Sequence, residues 1–186
     1  MPRALLRDVL STIRSTGLSH VDADLLIGFD MPDDAAVCAI DTDRARIVTS
    51  DFLTPIVDDP CEWRRIAATN VLSDVHGMGG RPLLALSLLA WPATFPDQTL
   101  AAVLRGGTRA VSDSGALLVG GHSIVDPMPI YGLVAVDEID PRRMLTKCGG
   151  RAGDLLVLTK PLGGGVVETA VKRGEAPAAL IDAVAR

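Results

Sequence analysis

The chain has 186 residues, 48% of them hydrophobic, enough for one substantial core and part of a second. Its 23 acidic against 18 basic residues leave a net charge of −5, and aromatics make up only 3%, which argues against a nucleic-acid partner with its basic stripe and stacking platforms. No apolar run is long enough to span a bilayer, the charged N-terminus shows no signal-peptide pattern, and Cys38, Cys61 and Cys148 lack CxxC spacing. These features predict buried, reduced thiols in a cytoplasmic protein with no membrane partner.

Residues 2–15 predict a helix with Leu5, Leu6, Val9, Leu10 and Ile13 on one face. A second apolar patch, 21–27, leads into a loop that ends in Asp33-Asp34, adjacent carboxylates that repel unless water or a cation intervenes. Residues 35–40 and 45–51 predict two strands joined as a hairpin. Antiparallel pairing would bring Asp34 and Asp51 to the same end of the sheet. The loop that follows carries Asp58-Asp59-Pro60 to the start of a helix, where acidic groups suit the helix dipole.

That helix organises the chain. Trp63, Ala67, Val71, Val75 and Met78 recur every three or four residues, and Gly79-Gly80-Arg81-Pro82 is a stop signal. Asn70 and Asp74 are i, i+4 neighbours beside the apolar stripe. Residues 82–91 then predict a buried strand, and Asp97 is expected to cap a helix that runs to about Asp113. Its interior Gly106-Gly107 is costly unless something packs closely there. A short strand at 116–119 should end in Gly120-Gly121-His122-Ser123, with another strand at 131–136 and a local segment at 141–148.

A boundary near Gly149-Gly150 divides an amino-terminal unit, 1–149, from the beginning of a second, 150–186. In the second, 153–159 predicts a strand, 160–165 a loop, and 166–172 and 177–186 helices. The strands predicted at 35–40, 45–51 and 82–91 are apolar, and so few helices would leave one face of their sheet uncovered.

Asp34, Asp51 and Asp74 come from three elements. Mg²⁺ takes oxygen ligands and completes its shell with water and substrate phosphates. Few histidines and no cysteine pairs argue against zinc. Gly120 to Ser123 offers N–H groups, a hydroxyl and an imidazole, a phosphate cradle, and the lack of a G-x-x-x-x-G-K-[ST] run excludes a P-loop. Surface carboxylates and a structural glycine turn, with His122 a turn residue and Ser123 its cap, are the competing reading. His76 is read as structural, and Lys160 as a phosphate contact or a solvated strand end.

The runs Asp33-Asp34-Ala35-Ala36-Val37 and Thr49-Ser50-Asp51-Phe52-Leu53-Thr54-Pro55-Ile56-Val57-Asp58-Asp59-Pro60 closely resemble selenophosphate synthetase (selenide, water dikinase). Arg65-Ile66-Ala67-Ala68-Thr69-Asn70, Met78-Gly79-Gly80-Arg81-Pro82, Gly120-Gly121-His122-Ser123-Ile124 and Leu158-Thr159-Lys160-Pro161-Leu162-Gly163 continue the resemblance in order. Aminoimidazole ribonucleotide synthetase, the hydrogenase-maturation dehydratase and thiamine-monophosphate kinase share the architecture, and the run from Thr54 to Pro60 favours the selenium enzyme.

The resemblance implies an α+β fold: an amino domain with a mixed sheet and helices on one face, forming a homodimer through its sheet and closing a barrel with ATP at the subunit interface, then the start of a second α+β domain. It implies synthesis of selenophosphate, AMP and phosphate from ATP, selenide and water. Asp34, Asp51 and Asp74 would be the Mg²⁺/ATP carboxylates, with Asn70 in the same site. Met31, Pro32 and Asp33 fall on the nucleotide-contacting loop, although Met31-Pro32 departs from the usual polar pair. Gly121, His122 and Ser123 would reach ATP from the partner subunit. The family's catalytic Cys and Lys fall ahead of residue 2 and its last metal aspartate beyond Arg186, so the chain is expected to be a truncated part of the enzyme, inactive alone. The alternatives are a non-catalytic nucleotide-binding or dimerisation module and a thiamine-monophosphate-kinase-like enzyme, which needs no catalytic cysteine.

Overall fold

The computed structural model describes Leu5, Asp8, Val9, Ser11, Thr12, residues 24–29, 33–159, 161–177 and Leu180. The five described residues of the expected first helix are helical. The rest of that helix, Met31, Pro32, Lys160 and nearly all of the helix expected at 177–186 lie outside the described residues.

Six strands form one mixed sheet: β1 (Leu25–Ile27), β2 (Ala36–Ala39), β3 (Ala45–Leu53), β4 (Leu84–Trp91), β5 (Leu117–Val125) and β6 (Ile130–Ile139). Their order is β1-β2-β3-β6-β4-β5, with β4 and β5 parallel and every other pair antiparallel. The β2–β3 hairpin pairs Ala36 with Val48 and Ala39 with Ala45. Its turn is closed by Asp41, whose Oδ1 accepts from the N–H groups of Asp43 (3.0 Å) and Arg44 (2.9 Å).

Helix α1 (Pro60–Gly77) starts where the Asp59-Pro60 pair foretells. The Asp59 side chain accepts from Glu62 N–H at 2.7 Å, and Pro60 stands in the first turn, where its missing N–H has no partner to lose. Trp63, Ala67, Val71, Val75 and Met78 are all buried, and Gly79 ends the helix with φ of 82°. Helix α2 (Asp97–Asp113) matches its expected span, but Asp97 makes no capping bond; it is the first helical residue, after Pro96. The paired glycines of α2 are explained by close approach. A Cβ on Gly106 would collide with the Cys61 carbonyl on α1, and one on Gly107 with Arg64 and Tyr131. Arg64 is fully buried, stacked 3.7 Å from the centroid of Tyr131 and 3.0 Å from Ser87 Oγ.

Both helices lie on one side of the sheet, over Val37, Ile47, Leu133 and Ala135. The other face is also apolar. Val48, Val136, Leu84 and Leu117 are register neighbours in a row across four strands. Among the described residues, no helix is long and apolar enough to cross a membrane.

Three further expectations need correction. The strand expected at 116–119 continues to Val125, so Gly120 to Ser123 is extended strand rather than a turn. Glycine is required at 121 because a Cβ there would meet the Ser87 carbonyl of β4. Residues 153–159 form no strand, because no described neighbour offers them a hydrogen-bonded ladder; Leu155 and Leu156 are 92% and 98% exposed. The helix α3 (Gly164–Lys172) does follow. The three cysteines are free as expected, but Cys38 and Cys148 are exposed, not buried. Cys38 pairs with Arg46 in register, on the face away from the helices.

Candidate functional site

Thr49 and Asp51 are two apart on β3, and Asn70 and Asp74 are four apart on α1. Two strand residues rise about 7 Å and four helical ones about 6 Å, so a helix lying along the strand can match both pairs at once. It does. Asn70 Nδ2 donates to Asp51 Oδ2 at 2.6 Å, and Thr49 Oγ1 donates to Asp74 Oδ2 at 2.8 Å. The other Asp51 oxygen accepts from Phe52 N–H at 2.7 Å.

The loop before β2 adds Asp33 and Asp34. Asp33 Oδ1 accepts from Asp34 N–H at 2.9 Å, and the Asp34 carbonyl lies 3.4 Å from Thr49 Oγ1. Gly77 leaves room here, since a Cβ would stand 3.2 Å from Asp34 Oδ2. A residue from beyond β6 completes the group. Lys147 N–H donates to Asp33 Oδ2 at 2.9 Å, and its ammonium lies 2.6 Å from Asp34 Oδ1.

The carboxylates feel one another. Burial pushes Asp74 above the ordinary carboxylate pKa, and the charges of Asp34 and Asp51 push the same way, against the Thr49 hydroxyl and Lys147. Lys147 is raised in turn, mainly by its bond to Asp34.

Of the residues singled out in the sequence, Asp33, Asp34, Asp51, Asn70 and Asp74 are thus brought together. Gly121, His122 and Ser123 are not. They lie on β5, three strands from β3, about 14 Å at the usual strand spacing. His122 shares a register row with Leu88, Gly132 and Phe52, on the sheet face opposite α1. Sequence reasoning missed Thr49 and Lys147 as members of the site. The inward place of Thr49 in the alternation of β3 was a usable signal; Lys147, 114 positions from Asp33, had none.

Every acceptor in the cluster is an oxygen, the donor chemistry of a hard cation. Among the described residues no three His, Cys, Asp or Glu side chains stand in ready-made metal-binding geometry. The oxygens fit a metal that is held by a few carboxylates and completes its shell from water and phosphate, as Mg²⁺ does.

A family model for AIR synthase related protein, N-terminal domain, matches residues 32–137, and the chain belongs to that family. Within it, the chain is 49% identical over 176 residues to selenide, water dikinase of Paraburkholderia xenovorans (strain LB400), covering 94% of this chain and 49% of that protein. It is 47% identical over 151 residues to selenide, water dikinase 2 of Peptoclostridium acidaminophilum, covering 81% and 44%. The chain therefore spans about half the length of the curated relatives it matches. Among solved structures it resembles AaThiL complexed with AMPPCP and TMP, with a TM-score of 0.66 at 22% identity over 83% of this chain and 48% of that one. Thiamine-monophosphate kinase from Stenotrophomonas maltophilia K279a gives 0.63 at 21% over 89% and 52%. At those identities the likeness concerns the fold alone.

Proposed function

We propose that the protein is a selenide, water dikinase, converting ATP, selenide and water into selenophosphate, AMP and phosphate, and that this chain carries its Mg–ATP-binding part. The observation that supports the reading most is the 49% identity to a selenide, water dikinase over nearly the whole chain. The convergence of Asp34, Asp51 and Asp74 from three elements gives it a chemical basis. Bound there, Mg²⁺ would neutralise phosphate charge and polarise a phosphoryl oxygen.

The chain's own residues supply the positioning. Asn70 and Thr49 orient Asp51 and Asp74 through one hydrogen bond each, which lowers the reorganisation that a cation–phosphate complex would require. Asp33 ties its own loop to the segment around Lys147, and the resemblance assigns Met31, Pro32 and Asp33 to the nucleotide-contacting loop. Cys38, Cys61 and Cys148 receive no catalytic role.

The protein is further proposed to be a homodimer through the open sheet face. That face carries the apolar row of Val48, Val136, Leu84 and Leu117 and also His122. Pairing two such faces would let Gly121, His122 and Ser123 serve the partner's nucleotide. The division near Gly149-Gly150 is retained as a proposed domain boundary, and a cytoplasmic location as the proposed setting.

Phosphorus NMR of the intact protein with ATP tests the reading. Selenide-dependent appearance of selenophosphate and AMP is the expected result. ADP formation that depends on thiamine monophosphate and ignores selenide would instead favour the kinase alternative.

A further inference from the structure

The segment after β6 crosses the C-terminal end of α1. A 3-10 turn, Pro141–Arg143, redirects the chain, and Leu145 N–H then donates to the Met78 carbonyl at 3.0 Å. Gly79 makes the crossing possible: a Cβ there would lie 3.3 Å from both the Arg143 carbonyl and Leu145 Cγ. Two residues later Lys147 meets the carboxylates through two separate anchors. Its main-chain N–H is held by Asp33 at 2.9 Å, and its ammonium by Asp34 at 2.6 Å.

These anchors have different consequences. The main-chain bond fixes the segment whatever residue stands at 147. The ammonium places a positive charge 2.6 Å from Oδ1 of a carboxylate that the proposed function gives to a divalent cation. A small dication and an ammonium on the same carboxylate oppose each other by like charge, and where both seek the same oxygen the strict octahedral shell adds a steric conflict. The Lys147 side chain is 55% exposed, so solvent is open to it when it leaves Asp34. Asp74 also lies within the electrostatic reach of Lys147, so the effect is felt beyond the one carboxylate.

We propose that Lys147 is an internal competitor of the divalent cation at Asp34, so that the residue at 147 sets the metal affinity of the site. This rests on the reading of Asp34 as a metal ligand. Metal loading displaces the ammonium while the bond to Asp33 keeps the segment in place. A lysine that instead held nucleotide phosphate would aid Mg-nucleotide loading and would not oppose the metal itself.

The test is calorimetric titration of MgCl₂ into the intact protein at fixed ionic strength, comparing wild type with K147Q, K147R and D34N. K147Q removes the charge and keeps the main-chain anchor, and its circular dichroism should match wild type. It is expected to bind Mg²⁺ roughly three- to tenfold more tightly, in keeping with the modest worth of an exposed ion pair plus the repulsion relieved. K147R, which keeps the charge, should bind no more tightly than wild type, and D34N far more weakly than either. Equal or weaker Mg²⁺ binding by K147Q, with D34N still impaired, would overturn the role of Lys147 and leave the metal reading standing. Equal binding by wild type and D34N would overturn both.

Discussion

The two faces of the sheet are built from similar residues and meet different surroundings. On β3, Ile47 is fully buried under α1, whereas Val48, the next residue, is 39% exposed on the other side. An antiparallel sheet with one face in water normally alternates apolar and polar residues along each strand. Here the outward row of Val48, Val136, Leu84 and Leu117 is as apolar as the inward one. What separates the faces is the pair of helices, which pack on each other across Gly106 and Gly107 and therefore sit together on one side. The lesson is that hydrophobic alternation locates a face but does not name its cover. For the open face the proposed cover is a second copy of the chain.

The largest expected effect tests the covered side. Ile47→Ala should lower the unfolding free energy by about 3 kcal/mol, the usual scale for emptying a closed core site. Val48→Ala, measured by urea unfolding at a concentration where the protein is monomeric, should cost less than about 1 kcal/mol. Equal losses at 47 and 48 would erase the distinction between the faces.

Next comes the open side. Leu86, 38% exposed, shares this face, and Leu86→Glu would place a charge in the proposed interface. Self-association followed by sedimentation should weaken roughly 30-fold, about 2 kcal/mol, with the far-ultraviolet circular dichroism unchanged. A wild-type protein that stays monomeric at high micromolar concentration would remove the proposed dimer altogether.

The smallest effect lies at the edge of the covered side. Asp137 is 2% exposed on β6 and accepts from Arg81 N–H at 2.8 Å, in a place where a Cβ on Gly80 would collide with it. Burial holds its pKa above the ordinary 3.8, against the opposing Arg81 N–H. The folded state thus prefers the protonated acid. Its contribution to stability is full below the unfolded value and is lost as pH rises through the folded one. Asp137→Asn keeps an oxygen acceptor without the charge. It should be more stable than wild type near neutral pH, with the gain shrinking on acidification into the carboxylate range, as read from midpoints of thermal unfolding. A gain that grows in acid would contradict the sign.

Much of this was legible in the sequence because local chemistry agreed with the fold. Asp59-Pro60 opens α1, Gly79 closes it, and the buried set from Trp63 to Met78 follows the helical period. The i, i+4 spacing of Asn70 and Asp74 placed both on one helix face, and its match to the strand repeat of Thr49 and Asp51 emerges only once α1 lies along β3. The failures have physical causes too. Gly120-Gly121 reads as turn punctuation, yet Gly121 is needed for close approach to a neighbouring carbonyl, which only the parallel β4–β5 pairing reveals. The run Leu155-Leu156-Val157-Leu158 has strand propensity, but propensity cannot supply a ladder partner. Arg64 drew no reading from the sequence, since its burial depends on stacking against Tyr131, a residue of β6. Lys147 joins the site only through a chain crossing that no local pattern encodes.

The central claim is that the oxygen cluster between β3, α1 and the loop before β2 holds a Mg-nucleotide. Its most direct test is calorimetric binding of AMPPCP to the intact protein, with and without Mg²⁺, for wild type, D51N and D74N. The account predicts binding that requires Mg²⁺ and weakens at least tenfold, about 1.4 kcal/mol or more, in each variant, with circular dichroism unchanged. Affinity that is indifferent to Mg²⁺, or unaltered in both variants, would contradict it.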